Sequence, residues 1–395
     1  MLQSVHQPGN ANGELSPRYQ GLRVDVIAEV VPAVQGNIAM GQLRALLLNL
    51  DFVVLIGPKR KPLAVIGRGD LAHLWKQPDE ARLQSFAEAW MPCQVSANET
   101  LQQVNYRFAS CEQAMLPLVD AKGRYTGKCA SLPRLIRLKS GTLRPPRVGG
   151  LATPLGVYMT SGHYMAGAGW PGLVAAGFLF GILAPFLDLL SVALFSVLVL
   201  VYPPVQILPV GEQTILQGGL LLACLLGLLR LTPLAGLHAA EHMTINAIEA
   251  DLALTEPMVR TQPREHQRCG TNLVALLGGL QIAAISLFYA NPRLSGLGLL
   301  LYATLWFWLV FSFWRPMGLW LQRHFTTKTP SWAQLASGIR AGHQLLERFT
   351  ERPHGVPSFW RRLWGAGLLQ MMTGFAAGFW LVDWLLAGLG WSSAF

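Results

Sequence analysis

From Gly172 to Tyr202 the chain carries a single charged residue, Asp188. A run of that length is too long for a strand. As a helix rising about 1.5 Å per residue it exceeds the roughly 30 Å hydrocarbon core of a bilayer. It therefore reads as a transmembrane segment, with Pro185 marking either a bend or the end of an interfacial lead-in. Four more apolar stretches follow: Ile215–Leu231, Asn272–Tyr289, Gly296–Trp314 and Leu363–Leu389. Ile215–Leu231 is short enough to be tilted or partly embedded, and Leu363–Leu389 either spans or re-enters. Only 13% of the 395 residues are charged and 52% are hydrophobic, against roughly 25% charged in a soluble domain. A soluble, disordered or disulfide-stapled protein is excluded, and an integral membrane protein is expected.

The charge is unevenly placed. Residues 1–150 have an ordinary share of Arg, Lys, Asp and Glu, so a soluble N-terminal half precedes the membrane half. The first twenty residues are polar and lack an apolar core, so no signal peptide is expected, and 1–25 reads as a disordered extension. The loops 203–214 and 290–295 hold one basic residue between them, Arg293. By contrast 232–271 holds Arg260, Arg264 and Arg268, and 315–362 holds eight. Basic loops stay in the cytoplasm. Residues 1–171 and both basic loops are thus expected there, in a multi-pass protein of the bacterial inner membrane with a cytoplasmic N-terminus. The net charge of +10 then reflects topology and contact with membrane lipid, not nucleic acid. Cys93, Cys111, Cys129, Cys224 and Cys269 are scattered without a CxxC pair, which fits a reduced compartment.

Residues 26–140 contain an internal repeat, about 32–75 and 91–138. In each copy an Asn (Asn37, Asn98) placed to cap a helix opens an amphipathic segment. An apolar strand (Phe52–Ile56, Met115–Val119), a polar turn, a second strand (Leu63–Ile66, Tyr125–Cys129) and a helix start (Asp70–Leu74, Ser131–Leu135) follow. The second copy resembles a CBS motif and the pair a Bateman tandem. That resemblance implies an α/β fold, dimerisation through the tandem, and binding of an adenine nucleotide whose ribose meets an Asp three residues after a hydroxyl side chain. Asp70 fits this role, but Gly67 occupies the hydroxyl position, and the second repeat reads Lys128 and Ser131. A regulatory or dimerising module without ligand is the alternative.

The chemical signal lies in the first basic loop. His238, Glu241, His242, Asn246 and Glu249 occupy one stretch, followed by His266, Arg268 and Cys269. On a helix over about 234–252, advancing about 100° per residue, His238 and His242 lie about 40° apart with Glu249 between them. Imidazoles four residues apart can share one metal ion, with a neighbouring carboxylate as ligand or general base. The H-x-x-E-H spacing is that of inverted zincins. The readings are a metal site, a hydrogen-bonded polar face resting on the membrane surface, or an ion pathway.

The run from His238 to Asn272 resembles the signature of the YqhQ-like family of uncharacterised bacterial membrane proteins. His238, Glu241, His242, Asn246, Glu249, Leu254, Thr255, His266, Arg268, Cys269, Gly270 and Thr271 fit it, while Met243 and Ile248 depart. The Gly-rich 149–167 and the stretch 321–347 are similar to further parts of that family. Its members are described as metal-dependent enzymes without an established substrate. The resemblance strengthens the cluster as a site without supplying the reaction. A divalent metal, Zn among the candidates, is expected on His238 and His242, with Glu249, His266 or Cys269 completing the shell and Glu241 as general base if the protein is hydrolytic.

The expected fold is therefore an α-helical integral membrane domain with an N-terminal α/β CBS-like tandem. A Gly-rich segment (141–171) connects them, either a linker or a lid on the His/Glu helix. The membrane domain covers 172–362, with loops 232–271 and 315–362, and a final helix lies within 363–395. Asp188 and Asp383, lone carboxylates in apolar stretches, mark an ion path in the rival reading of a transporter or channel gated by the tandem. A non-catalytic scaffold is the third. The tryptophans of the spans read as interfacial anchors. Arg315, Arg323, Arg361 and Arg362 read as contacts to anionic headgroups.

Overall fold

A computed structural model describes residues 15–70, 72, 76, 78–80, 93–111, 113–290 and 295–388. The chain divides into two compact units. The first comprises residues 1–146 with 349–356, the second 147–348 with 357–395.

The first unit is α/β. Helix α1 (Pro17–Gln20) leads into β1 (Ala28–Val30) and β2 (Ala33–Gln35), then α2 (Met40–Asn49), β3 (Phe52–Ile56) and β4 (Pro62–Gly67). The second repeat supplies β5 (Val95–Ser96), α3 (Leu101–Ser110), β6 (Met115–Val119), β7 (Tyr125–Ser131) and α4 (Leu132–Lys139). The repeat holds at the level of topology: β2 runs parallel to β3, which is antiparallel to β4, as β5 is to β6 and β6 to β7. β1 adds to the edge of β7. The central strands are apolar runs buried on both faces: Val53, Val54 and Leu55, with Ile66, are buried in one sheet and Leu116, Leu118 and Ala130 in the other. The caps differ from expectation. Asn37 and Asn98 lie ahead of the helices, and Ala39 and Thr100 hold the N-cap positions. Thr100 and Gln103 form a capping box, an arrangement worth about 1 kcal/mol. In the first repeat, the helix start after Asp70 lies mostly outside the described residues.

Two expectations are corrected here. Residues 15–25 are folded: Leu15, Tyr19 and Val24 are buried in the core with Leu101 and Leu135. Residues 1–14 lie outside the described residues. Cys93 and Cys111, read as free thiols, form a disulfide, because α3 returns the chain to within 6.5 Å between their Cα atoms. Cys129, Cys224 and Cys269 are free.

The second unit opens with a three-stranded antiparallel sheet, β8 (Gly149–Thr153), β9 (Gly156–Thr160) and β10 (Met165–Gly167), in order β10-β9-β8. Five helices long and apolar enough to cross a membrane follow: α5 (Gly169–Val201), α6 (Val210–Leu231), then, past α7 (Leu234–Glu249) and α8 (Glu256–Arg260), α9 (Gly270–Ala290) and α10 (Gly296–Leu321). After a π turn (Gln322–Thr326) come α11 (Trp332–Glu351), α12 (Phe359–Gly365) and α13 (Leu368–Gly388). Pro185 lies inside an unbroken α5. The final stretch is split at Gly367, whose φ of +77° interrupts the helix. α13 packs alongside α5 through small residues: Gly177 and Gly181 face the backbone of Met371 and Phe375, and Gly374 and Gly378 face that of Val174 and Phe178. Numbers rise together along both helices, so they run parallel. Such small-residue seams let backbones approach where the hydrophobic effect cannot drive association.

Candidate metal centre

α7 is short, apolar on nearly every side and almost wholly buried. Ala239, Ala240 and Ala247 present only methyl groups, and Gly338 and Gly342 of α11 lie against Ala240, Thr244 and Ile248. On another side β8 lies across it: a Cβ on Gly150 would stand 2.8 Å from Cγ and 2.9 Å from Oε1 of Glu241. The Gly-rich segment is thus a folded lid over the helix. Its backbone hydrogen-bonds Glu241 at Ala152.

The chain after α7 turns at Asp251, at positive φ, and returns along the helix. Asn246 Nδ2 donates to the carbonyls of Pro263 (2.9 Å) and Glu265 (3.2 Å). This return brings Cys269 back to the helix, where His238 Nε2 lies 3.2 Å from Cys269 Sγ. His238, His242 and Cys269 each offer a ligand atom within 4.8 Å of the others.

The ring orientations are fixed by backbone. His238 Nδ1 is 2.9 Å from the carbonyl of Thr326 and His242 Nδ1 is 2.6 Å from that of Arg264. A carbonyl only accepts, so in each ring Nδ1 carries the proton and donates. In the neutral imidazole Nε2 is then the lone-pair nitrogen, as metal-ligating histidines require. Burial, reinforced by His238, holds His242 well below the ordinary imidazole pKa, so it stays neutral. Burial raises the Cys269 thiol, whose Sγ accepts the Thr271 amide and donates to Thr271 Oγ1. Two imidazole nitrogens and one sulfur suit a tetrahedral zinc-type ion with one position left for water or substrate.

The other expected residues take different places. Glu241 is buried, and desolvation pushes its carboxyl up to about 8, partly opposed by His238. Glu249 pairs with Arg268 and lies 3.5 Å from His266 Nε2. It shares the azimuth of the two histidines but sits two turns, about 10 Å, beyond His242 along the axis. His266 stacks obliquely near His242, with ring centroids 5.6 Å apart, and stands outside the three-residue group. Its amide donates to Gln322 Oε1 at 2.7 Å, and Gln322 in turn donates to Asn272 Oδ1 at 2.9 Å. This buried amide pair ties the loop to the ends of α9 and α10. Its sequence signal was only that polar side chains interrupt the edges of two apolar runs.

A cavity of about 440 Å³ opens over the cluster, lined by His238, Glu241, His242 and Cys269 and by residues of the lid, Gly150, Tyr158 and Thr160 among them. Arg147, Arg268 and Arg362 also reach it.

In the first unit, Asp70 Oδ2 accepts the amide of Gly67 at 2.8 Å and closes a turn. A Cβ on Gly67 would stand 2.8 Å from the Phe52 ring, so the packing leaves no room there for a hydroxyl side chain. Ser131 caps α4 by accepting the amide of Arg134.

A family of proteins of unknown function, DUF1385, matches residues 189–305, in agreement with the YqhQ-like resemblance of the cluster. No curated protein matches the chain. Solved structures similar to it include CBS-pair domains. One, from a bacterial CNNM/CorC family Mg2+ transporter, is 18% identical, with a TM-score of 0.26 over 30% of this chain and 76% of that one. Another, from a candidate Mg2+ transporter of Shewanella oneidensis MR-1, is 16% identical, with a TM-score of 0.24 over 29% and 68%. The cytosolic domain of the Mg2+ channel MgtE in complex with ATP is 17% identical, with a TM-score of 0.24 over 29% and 47%. The described residues thus comprise an N-terminal α/β unit and five helices long and apolar enough to cross a membrane.

Proposed function

We propose that the protein is a metal-dependent enzyme of the bacterial inner membrane, hydrolytic in type, with a regulatory N-terminal tandem. His238, His242 and Cys269 would hold one divalent cation, zinc by the chemistry of the donors. The observation that carries this reading is that both Nδ1 atoms hydrogen-bond to carbonyls, which leaves Nε2 as the lone-pair nitrogen of each ring, while one ligand atom each of His238, His242 and Cys269 lies within 4.8 Å of the others. When bound, such an ion supplies Lewis acidity. Glu241 stands in the same cavity and, buried, retains a proton at neutral pH in the metal-free protein. A cation nearby favours its ionised form, so Glu241 is the residue placed to take and return a proton. The lid keeps water from the rest of the helix. His266, Glu249 and Arg268 hold the returning loop that carries Cys269. The tandem would dimerise the protein. With its first-repeat hydroxyl position filled by Gly67, any adenine nucleotide would be bound without that contact.

The test is the metal content of the purified full chain. Stoichiometric zinc-type metal in the wild type and its loss in His238→Ala/His242→Ala are expected. Full occupancy that persists in the double variant would sink the assignment.

One observation favours a second reading, a transporter gated by the tandem. The parallel seam pairs Gly181 with Phe375 and Ile182 with Gly378, and continuing that register puts Asp188 level with Asp383. Intramembrane carboxylates at one depth suit an ion path. Cation flux into liposomes that disappears in Asp188→Asn and Asp383→Asn would support it, and absence of flux in the wild type would reject it.

A further inference from the structure

The cavity over the candidate metal centre has an excess of positive charge that the metal ligands do not explain. Arg147, Arg268 and Arg362 line it, and Glu241 is the one carboxylate among its lining residues. Arg268 is engaged by Glu249. Arg147 and Arg362 are both exposed, and among the described residues neither is paired with a carboxylate.

Arg362 is held over the cavity by packing. It belongs to α12, and Tyr158 of the lid donates its hydroxyl to the carbonyl of Gly365 at the end of that helix, at 2.6 Å. The approach is close because Gly365 and Gly162 meet without side chains. A Cβ on Gly365 would stand 3.0 Å from Gly162 Cα, and one on Gly162 would stand 2.7 Å from Pro357 and 3.6 Å from Cγ of Arg362.

The cavity also lies at the level where apolar helices begin. Gly270, the first residue of α9, is part of its wall, and so is Ala366, two residues before α13 starts at Leu368. On α12 itself Trp360 and Trp364 are 74% and 56% exposed, the placement of aromatic anchors at a membrane surface. A ligand entering here comes from the headgroup layer, with its apolar part still among lipid tails.

We infer that the cavity takes a membrane amphiphile with a phosphate head, the phosphate being held between Arg147 and Arg362. Planar guanidinium groups match phosphate oxygens in bidentate geometry. The inference rests on the metalloenzyme reading for what happens to the ligand, and on the two arginines alone for which ligand enters.

The experiment measures binding to the purified full chain in mild detergent. The probes are dihexanoyl phosphatidic acid, inorganic phosphate and dihexanoylglycerol. The phosphatidic acid binds tightest in the wild type, and Arg147→Ala/Arg362→Ala weakens it at least about tenfold, as loss of charged hydrogen bonds requires. Arg147→Lys/Arg362→Lys recovers part of the affinity, with metal content and thermal unfolding unchanged in both variants. Equal affinity of wild type and folded double-alanine variant overturns the inference, as does equally tight binding of dihexanoylglycerol. Inorganic phosphate binding as tightly as the lipid overturns the membrane origin of the ligand. A wild type that purifies without metal and takes up none from added zinc, yet still selects phosphatidic acid, defeats the metal assignment alone. A metal-loaded protein that does not select it defeats this inference alone.

Discussion

Two adjacent glycines of β8 face opposite sides of the strand, and replacing each with alanine separates contact from composition. A Cβ on Gly149 would meet only Thr160 Cγ2, at 3.7 Å, an ordinary contact. On Gly150 it would meet Glu241 Cγ and the Tyr158 carbonyl at 2.8 Å and Glu241 Oε1 at 2.9 Å. The carbonyl belongs to β9 and cannot swing aside, and Glu241 is buried. Both substitutions restrict the unfolded chain equally, a gain of about 0.4–1 kcal/mol that cancels in the comparison. The difference is then the overpacking cost, about 1–3 kcal/mol, or a midpoint lower by several degrees at roughly 2–4 °C per kcal/mol. Tryptophan fluorescence during heating of the purified protein measures it. Gly150→Ala should also lower metal content, since displacement of β8 or Glu241 disturbs the wall of the site, while Gly149→Ala should leave both unchanged. Adding Glu241→Ala to Gly150→Ala removes two of the three close contacts and should recover part of the lost stability. Indistinguishable midpoints for Gly149→Ala and Gly150→Ala would refute the placement of the lid on α7.

Three further predictions follow from particular groups. The folded pKa of Glu241, about 8, stands above its ordinary 4.5. Its contribution is therefore full below about pH 4.5 and lost as pH rises towards 8; in metal-free protein Glu241→Gln should flatten the unfolding midpoint across that window, and an unchanged slope would contradict the burial. Gly181→Leu and Gly378→Leu drive a side chain into backbone across the α5–α13 seam and should cost about 1–3 kcal/mol or more, whereas Gly218→Leu, with open space around it, should not; equal heat stability of all three would dismiss the seam. Alkylation of unfolded, unreduced protein should label three cysteines and, after reduction, five. Closing a loop of about this length is worth about 3 kcal/mol, so reduction should lower the midpoint of the first unit, and five labels in both samples would exclude the disulfide.

The spans were readable because length and absence of charge are one-dimensional properties, and all five stretches are helices. The repeat was readable for a similar reason, since its strands and turns recur in order. The site was read less completely. A helical wheel puts Glu249 between His238 and His242 because projection discards axial distance, and the two-turn rise sends it to Arg268 and His266 instead. Cys269 belongs with the histidines only through the return of the loop, fixed by Asn246 and by the Arg264 carbonyl, and carbonyl positions leave no mark in a sequence. The Gly-rich segment could be a linker or a lid on composition alone. What decides for the lid is the close approach that Gly150 permits to Glu241. Asn37 and Asn98 are good capping residues, yet the helices start later, and Thr100 with Gln103 satisfies two amides where Asn98 would satisfy one.

The central claim is that His238, His242 and Cys269 share one ion. X-ray absorption at the metal edge of the zinc-loaded protein tests it most directly. Two imidazole nitrogens at about 2.0–2.1 Å and one sulfur at about 2.3 Å are expected, with the sulfur shell absent in Cys269→Ser and the imidazole scattering retained. A shell of nitrogen and oxygen alone in the wild type would contradict the site.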